Sequence, residues 1–262
     1  MTALPVCPDS VAGGDDTFAR WLAERTGDLL LRVRVTGLEG SALANAGDAA
    51  AHDLLIELFA RYRPHDAVLS EEGRDDRART AAHRVWIVDP VDGTREFSEP
   101  PRQDWAVHVA LWEGGNLVAG AVALPAAGIT YATDIPPRVA ARTPGPLRIA
   151  VSRSRPPAFV AELAGELGAE LVPMGSAGVK AISVVRNLTD AYVHAGGQYE
   201  WDSAAPVAVA RAAGLHTSRA DGSPLRYNQA DVLLPDLLVC RPEVAQQISS
   251  FIRSRKDPMP AD

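Results

Sequence analysis

The first part of the sequence has apolar residues at helical spacing. Apolar side chains recur every three to four positions over 15–35 and again over 48–62, a pattern that predicts two amphipathic helices. The segment between them, 37–47, is rich in Gly and Ala and is predicted to be a loop. Asp48 would then lie at the junction between that loop and the second helix.

Strand-like patterns follow. The turn Glu113-Gly-Gly-Asn116 predicts a β-hairpin between two alternating segments. The first half is therefore predicted to pack two helices against an antiparallel sheet. The runs that predict its strands lie at 67–70, 85–88, 105–112, 117–124 and 129–133.

The pattern changes after a segment dense in Pro and Gly, 135–146, where we place a domain boundary, giving domains 1–140 and 141–262. Beyond it, strands and helices alternate in the manner of an α/β unit. The fold class is therefore predicted as α+β, with an antiparallel sheet in the N-terminal half and an α/β C-terminal half. The later strands are predicted at 147–152, 170–174, 190–194 and 237–240, and the helices at 157–167, 177–185, 202–213 and 242–252.

The composition of the chain argues against several classes of function. The net charge of −7 over 262 residues makes non-specific nucleic-acid binding an unfavourable expectation. The two cysteines, Cys7 and Cys240, provide neither a disulfide framework nor a thiolate zinc site. No signal peptide is recognisable at the N-terminus, and the longest apolar run, 117–127, is too short to span a bilayer. We expect a cytoplasmic protein that binds neither nucleic acid nor membrane.

The most informative chemistry lies at the end of the strand predicted over 85–88. There Asp89 and Asp92 are separated by Pro90, which is expected to end the strand. Two carboxylates held this close are costly unless a cation lies between them, and a hard ion such as Mg²⁺ suits oxygen ligands. The alternative is an ordinary Asp-Pro-x-Asp-Gly turn with a left-handed glycine.

Further carboxylates occur at predicted element ends, and each has a simpler explanation. Glu71 and Glu72 follow a short strand and could be two solvated charges in a turn. Asp48 and Asp202 each precede a predicted helix and could be N-caps. Five of these carboxylates are expected to cluster without arginine partners, which indicates bound cations. They are Asp48, Glu71, Asp89, Asp92 and Asp202.

Three motifs occur along the chain, Glu71-Glu72, Asp89-Pro-Val-Asp-Gly-Thr94 and Trp201-Asp-Ser-Ala-Ala205. In this order, they resemble the signatures of the inositol monophosphatase superfamily. Asp48 matches the aspartate that precedes the second helix in that family. The resemblance implies a layered αβαβα sandwich of the sugar-phosphatase type, with the site between the two halves.

The resemblance also implies two to three Mg²⁺ ions. Glu71, Asp89 and the Val91 carbonyl would hold the first ion, and Asp89, Asp92 and Asp202 the second. Glu71 would support a third ion through water. The chain departs from the family pattern in one segment, 41–48, which borders the site of this third ion in the family. The segment lacks the lysine, the Pro-Val pair and the threonine that are usual there.

Catalytic roles follow from the same resemblance. The Thr94 hydroxyl, hydrogen-bonded to Asp48, would orient and deprotonate the attacking water, and Glu71 would act through the metal. The backbone N–H groups of Gly93 and Thr94 would bind the scissile phosphate. The three histidines on or beside strands, His108, His194 and His216, are interpreted as structural or surface residues.

The substrate is predicted from positions that vary within the family. Arg95-Glu96-Phe97 resembles the CysQ type, which is a 3′(2′),5′-bisphosphate nucleotidase. The resemblance implies removal of the 3′-phosphate from 3′-phosphoadenosine 5′-phosphate, giving AMP, with the 5′-phosphosulfate analogue as a further substrate. Phosphatases of inositol-1-phosphate or fructose-1,6-bisphosphate stay open as alternatives, as does a non-catalytic metal- or nucleotide-binding protein.

Lys180 matches a lysine that faces the 5′-phosphate in that group, although a solvated helix residue is the simpler explanation. The partner is thus predicted to be a small-molecule phosphate ester, and a homodimer stays open. Arg153 and Arg155 are interpreted as surface charges. The remaining predicted substrate contacts are Arg95, Ser152, Ser154 and Ser176.

Overall fold

Two five-stranded sheets, each with helices on both faces, form the protein. The computed structural model describes residues 4–255. In that part of the chain the helices are α1 Asp9–Ala12, α2 Asp15–Arg34, α3 Gly40–Tyr62, α4 Thr94–Phe97, α5 Ala158–Leu167, α6 Ala177–Val185, α7 Glu200–Ala212 and α8 Pro242–Ser254. The strands are β1 Ala67–Ser70, β2 Arg84–Asp92, β3 Ala106–Glu113, β4 Asn116–Leu124, β5 Ile129–Ala132, β6 Arg148–Ser152, β7 Glu170–Met174, β8 Ala191–Tyr199, β9 His216–Ser218 and β10 Leu233–Cys240.

Both sheets are mixed. The first has the order β1-β2-β3-β4-β5, with β1 parallel to β2 and the other pairs antiparallel. The second has the order β7-β6-β8-β10-β9, in which β6 is parallel to β7 and β8, and β10 is antiparallel to β8 and β9. The prediction of an antiparallel first sheet is therefore wrong for β1, whose four residues reach β2 through a long crossover.

Three apolar clusters define five layers. The first joins α2 and α3 to one face of the first sheet and includes Phe18, Leu55 and Trp86. A second lies between the sheets and is filled mainly by α6 and α7. The third joins α5 and α8 to the outer face of the second sheet, around Phe159 and Ile248. The predicted α+β class and αβαβα sandwich are confirmed.

The predicted loop over 37–47 is wrong, because α3 begins at Gly40 and Asp48 lies inside it. Ala42, Ala44 and Ala46 are strong helix formers, and Leu43 is fully buried, so burial and propensity outweigh the two glycines. Asp48 is therefore not an N-cap. Gly47 has a packing role, since a Cβ there would lie 2.4 Å from the Phe97 ring.

Other elements differ by smaller amounts. β2 continues through Pro90 to Asp92, because its register with β3 shifts between Asp89 and Asp92 and accommodates the proline. β8 extends to Tyr199, and α7 therefore begins at Glu200, two residues before Asp202. Strand β9 and the first part of β10 were not predicted from the sequence.

The segment over 135–146 lies between the strands of the two sheets in the sequence. However, α7 from the second half packs against β2, β3 and β4 of the first sheet. The division into 1–140 and 141–262 therefore stays a prediction. Among the residues that the structure describes, none of the helices combines the length and the apolar character needed to cross a membrane.

Candidate metal and phosphate site

The site begins where β2 ends. Asp89 and Asp92 are both buried in the last residues of this strand, and the Val91 backbone N–H donates to Asp89 Oδ1 over 3.0 Å. Gly93 then adopts φ 84°, a left-handed conformation that glycine adopts without steric cost. The chain turns there into α4, which begins at Thr94, two residues after Asp92.

Asp202 brings the second half of the chain to the same place. It lies in the first turn of α7, where its Oδ2 accepts the Tyr199 backbone N–H over 2.7 Å. Asp89, Asp92 and Asp202 each offer a carboxylate oxygen, and these oxygens lie within 4.8 Å of one another. The N-cap alternative for Asp202 is therefore wrong, because Tyr199 is the N-cap and Asp202 lies three residues later. The Asp202 side chain also completes a three-carboxylate cluster.

Like charges at this distance change the acidity of the carboxyls. Burial, reinforced by Glu71 and Asp92, raises the pKa of Asp89 well above its ordinary value. Burial and the Asp92 charge raise the pKa of Asp202 to about 7. Lost hydration and the Asp202 charge raise the pKa of Glu71 to about 7 as well, although Glu71 keeps exposed surface. A cation among these groups would reverse the shifts.

Asp92 differs because protein donors surround it. Its Oδ1 accepts the Ala177 N–H over 2.9 Å, and its Oδ2 accepts the Gly178 N–H over 2.6 Å and the Ser176 hydroxyl. Burial alone would raise the pKa of Asp92, but His108, followed by Ser176 and Lys180, lowers it to about 2. His108, together with Ser176 and Lys180, therefore holds this carboxylate in its ionised form, and the N–H groups of α6 donate to it.

His108 is a site residue that sequence reasoning missed. It is fully buried on β3, directly opposite Asp89 in the strand register, with Nε2 3.1 Å from Asp92 Oδ2. Its Nδ1 lies 3.1 Å from the Trp201 carbonyl oxygen. Burial would lower the pKa of His108, but the Asp92 carboxylate raises it. A single histidine within an apolar strand carries no sequence signal for this position.

Thr94 and Asp48 meet as predicted, although Asp48 comes from the interior of a helix. The Thr94 hydroxyl is 3.4 Å from Asp48 Oδ1 and donates to the Val91 carbonyl over 3.0 Å. Lost hydration and the neighbouring Glu72 charge raise the pKa of Asp48 to about 6. A carboxyl with such a pKa can exchange a proton near neutral pH.

A cavity of about 510 Å³ opens beside the carboxylates. It is lined by Asp92 and Asp202 and by every residue that the sequence predicted for the substrate. Ser176 also has a structural role, because its hydroxyl caps α6 by accepting the Val179 N–H over 2.9 Å. The predicted substrate residues on the lining are Gly93, Thr94, Arg95, Ser152, Ser154, Ser176 and Lys180.

Lys180 is buried, which contradicts the simpler explanation of a solvated helix residue. Its ammonium donates to the carbonyl oxygens of Gly175 and Ser176, over 3.2 and 2.6 Å, and lies 5.4 Å from the centre of the Tyr192 ring. Burial lowers the pKa of Lys180, while Asp92 and other carboxylates oppose that shift. Lys180 is thus a cation held against the cavity wall.

Arg153 and Arg155 have different positions. Arg153 pairs with Glu96 over 2.6 Å and with Glu99 over 2.9 Å, so both partners come from the first half of the chain. Arg155 is exposed and lines the cavity. The sequence-based interpretation of both arginines as surface charges therefore misses the ion pairs by which Arg153 joins the second half of the chain to the first.

Comparisons with known proteins agree with this geometry. The model of the inositol monophosphatase family matches residues 22–253. The 3′-phosphoadenosine 5′-phosphate phosphatase of Mycobacterium bovis is 55% identical over 229 residues, which cover 84% of this chain and 86% of that protein. The 3′(2′),5′-bisphosphate nucleotidase CysQ of Escherichia coli K12 is 28% identical and covers 81% of this chain and 94% of its own length.

A solved structure supports the same assignment. The crystal structure of CysQ from Bacteroides thetaiotaomicron, a bacterial member of the inositol monophosphatase family, superposes with a TM-score of 0.71 at 26% identity. The superposition covers 84% of this chain and 94% of the CysQ chain. By its matched motifs, its fold and its relatives, the chain belongs to the inositol monophosphatase family.

Proposed function

We propose that the protein is a Mg²⁺-dependent phosphomonoesterase that removes the 3′-phosphate from 3′-phosphoadenosine 5′-phosphate and leaves AMP, and that it acts on the 5′-phosphosulfate analogue in the same way. The observation that carries this proposal is the convergence of Asp89, Asp92 and Asp202 within 4.8 Å, beside a cavity whose lining includes Asp92, Asp202 and Lys180. The name of the similar M. bovis protein supports the choice of substrate.

The donor set fits Mg²⁺, which prefers carboxylate and carbonyl oxygens. We assign Glu71, Asp89 and the Val91 carbonyl to a first ion, and Asp89, Asp92 and Asp202 to a second. Val91 can serve both Thr94 and an ion, because a carbonyl oxygen has two lone pairs. The raised pKa values of Glu71, Asp89 and Asp202 support the fit, since burial and the neighbouring carboxylates outweigh the influences that favour the ionised form of each carboxyl.

The oxygen with room for an ion on Asp92 is Oδ1, which accepts one hydrogen bond, from Ala177. Oδ2 is already surrounded by Ser176, Gly178 and His108. A third ion beside Glu71 has less support, because the segment that borders it in the family is part of α3 in this chain. When bound, Mg²⁺ supplies charge neutralisation of the phosphate and lowers the pKa of a bound water.

The residues of the chain supply orientation and proton transfer. We assign the scissile phosphate to the backbone N–H groups of Gly93 and Thr94. The Thr94 hydroxyl, which lies between Asp48 and the Val91 carbonyl, orients the attacking water. Asp48, with its pKa raised to about 6, accepts the proton through that hydroxyl near neutral pH.

The second phosphate requires a cation outside the metal ligands, since the carboxylates alone would repel it. Lys180 is the buried cation on the cavity lining, and Arg95 lies on the same lining. Ser152 ends β6 and Ser154 follows it, and the hydroxyls of both can donate to phosphate or ribose oxygens. We assign the 5′-phosphate to Lys180 and these hydroxyls.

A phosphate-release panel under identical Mg²⁺ tests the proposal. It compares 3′-phosphoadenosine 5′-phosphate with inositol-1-phosphate and fructose-1,6-bisphosphate. We expect the nucleotide to have the highest kcat/KM. A preference for either sugar phosphate would assign the protein to that activity, and no release from any of the three would favour a non-catalytic binding protein.

The variant Lys180→Met, measured on the same substrates, tests the assignment of Lys180 to the 5′-phosphate. Methionine has a similar length to lysine and carries no charge. Loss of a charged contact of about 1.5–3 kcal/mol corresponds to roughly a 10- to 150-fold lower kcat/KM for the bisphosphate. Turnover of inositol-1-phosphate, which has no second phosphate, is the internal control and should change little. An equal loss on both substrates would contradict the assignment of Lys180 to the 5′-phosphate.

A further inference from the structure

One wall of the cavity is formed by an irregular part of β8. Gly196 and Gly197 both have positive φ, 81° and 64°, and both line the cavity. Across the sheet, Ala195 pairs with Asp236 and Gln198 with Leu234, so β8 contains one more residue than β10 here. This is a β-bulge built from two glycines, a device that bends a strand and changes the direction of nearby side chains.

The bend has a direct consequence for Gln198. In a straight strand, residues six positions apart are separated by roughly 20 Å, too far for their side chains to meet. Here the Gln198 amide nitrogen donates to the Tyr192 hydroxyl over 2.8 Å. The Tyr192 ring in turn lies under the Lys180 ammonium. The bulge therefore places Gln198 against Tyr192, the side chain that also contacts the cation assigned by the proposed function to the 5′-phosphate.

The other end of the Gln198 amide is unsatisfied. The side chain is 5% exposed, and its Oε1 has no hydrogen-bond partner among the residues that the structure describes. A buried carbonyl oxygen without a donor is destabilising, and such atoms are uncommon unless a ligand completes them. Gln198 belongs to the lining of the same cavity as Lys180 and Asp202.

We propose that Gln198 is a specificity residue whose Oε1 accepts a hydrogen bond from a neutral donor on the nucleoside part of the substrate. This inference rests on the proposed function. Two groups of the nucleoside have the required chemistry, the ribose 2′-hydroxyl and the amino group of the base. A neutral acceptor suits this position, because a carboxylate so close to Lys180 would compete for the ammonium and repel both phosphates.

The test uses Gln198→Leu, which keeps the approximate size and removes the acceptor. AMP and inorganic phosphate are both products, and their inhibition constants are measured during hydrolysis of 3′-phosphoadenosine 5′-phosphate. We expect the inhibition constant of AMP to rise about tenfold, the effect of one hydrogen bond between neutral groups. The constant for inorganic phosphate should stay within about twofold, because phosphate has no nucleoside. Gln247→Leu, at an exposed position on α8, is the matched control.

Substrate analogues identify the hydrogen-bond donor on the nucleoside. Their effect on the native enzyme does not depend on how any variant folds. For the native enzyme, kcat/KM should fall about tenfold for either the 2′-deoxy bisphosphate or the inosine bisphosphate, and Gln198→Leu should no longer distinguish that analogue. Tyr192→Phe, which keeps the ring under Lys180 and releases the amide, should show the same loss of discrimination.

Two outcomes overturn the proposal in distinguishable ways. If the native enzyme prefers the nucleotide but Gln198→Leu binds AMP as tightly as the native enzyme and neither analogue loses rate, Gln198 has no such role. If the native enzyme does not prefer the nucleotide at all, the proposed function fails and this inference fails with it.

Discussion

Asp92 and Asp202 belong to one cluster but differ in acidity. Asp92 receives hydrogen bonds from Ala177, Gly178 and Ser176, and its pKa is held low. Asp202 accepts a single backbone N–H, and its pKa is raised to about 7. A divalent cation binds the ionised form of a carboxylate, so we expect Mg²⁺ binding to release protons from groups with a raised pKa such as Asp202.

Thr94→Ala tests the assigned role of the hydroxyl in orienting water. The substitution leaves the carboxylates and the backbone N–H groups in place, so kcat should fall by about 10²–10⁴ while the Mg²⁺-induced rise in melting temperature is retained. Steady-state kinetics and thermal melting with and without Mg²⁺ measure the two effects. Thr80→Ala, in an exposed 3₁₀ turn, should leave both unchanged. Full activity of Thr94→Ala would refute the role.

His108→Val tests whether the buried histidine positions Asp92. Valine fits an apolar strand but offers nothing to Asp92 or to the Trp201 carbonyl, so the Mg²⁺ concentration that gives half-maximal calorimetric binding should rise by about 10-fold or more. The conservative variant His108→Asn should recover part of the affinity through a remaining N–H donor. Equal Mg²⁺ affinity in all three proteins would show that His108 only fills space.

The motif residues Asp89, Asp92 and Thr94 were recognisable from sequence because their chemistry requires fixed residue types at fixed spacing. His108 was not recognisable, because a histidine in an apolar strand has the same local pattern whether it faces a carboxylate or a structural partner. Gln198 was missed for a related reason, since its position depends on a bulge in β8. Local pattern does not encode such long-range contacts.

Helix α6 is fitted closely against the site. A Cβ at Gly178 would lie 2.0 Å from His108 Nε2 and 3.0 Å from Asp92 Oδ2. Glycine is therefore required there by space, since the position lies in a regular helix. The absence of a side chain lets the first N–H groups of α6 reach Asp92 directly.

Gly178→Ala should consequently destabilise the protein by about 1–3 kcal/mol and weaken Mg²⁺ binding, because α6 or His108 must move away. Denaturant unfolding and calorimetric Mg²⁺ titration measure these effects. Gly165→Ala is the matched control, since this glycine lies in α5 and a methyl group added to it would meet no atom within 4 Å. Alanine there should stabilise the protein by about 0.5–1 kcal/mol. Equal stability of the two variants would contradict the close fit at α6.

Helix α3 shows where element prediction from sequence failed. Gly40 and Gly47 suggested a loop, but the alanines between them favour a helix and Gly47 allows Phe97 to approach. Asp48 lies 3.4 Å from the Thr94 hydroxyl, the partner that its motif predicted, but its predicted place at a helix start was wrong. Patterns of apolar residues located most other helices and strands, because their periods reflect which face is buried.

Across the whole molecule, the carboxylates of the site come from both halves of the chain and repel one another in the absence of cations. In the metal-free fold, the pKa values of Asp48, Glu71 and Asp202 are raised to about 6, 7 and 7. Their unfolded values lie near 4. The folded state thus holds protons that the unfolded chain releases, and stability falls as the pH rises from about 4 through 7.

Mg²⁺ should reverse this loss. We expect the melting temperature of chelator-treated protein to be more sensitive to a rise in pH from 5.5 to 8 than that of protein in Mg²⁺, and the stabilisation by Mg²⁺ to be larger at pH 8. Asp202→Asn removes one raised pKa and should reduce both effects. A melting temperature that does not respond to chelation at pH 8 would contradict a metal site in this cluster.

The most direct measurement is the anomalous scattering of Mn²⁺, used in place of Mg²⁺, in crystals of the native protein. The site described above predicts a strong anomalous peak in contact with carboxylate oxygens of Asp89, Asp92 and Asp202. The same crystals of Asp202→Asn should show a weakened peak. Absence of a peak among these three residues, under conditions in which Mn²⁺ supports hydrolysis, would contradict the convergence of both halves of the chain on one metal site.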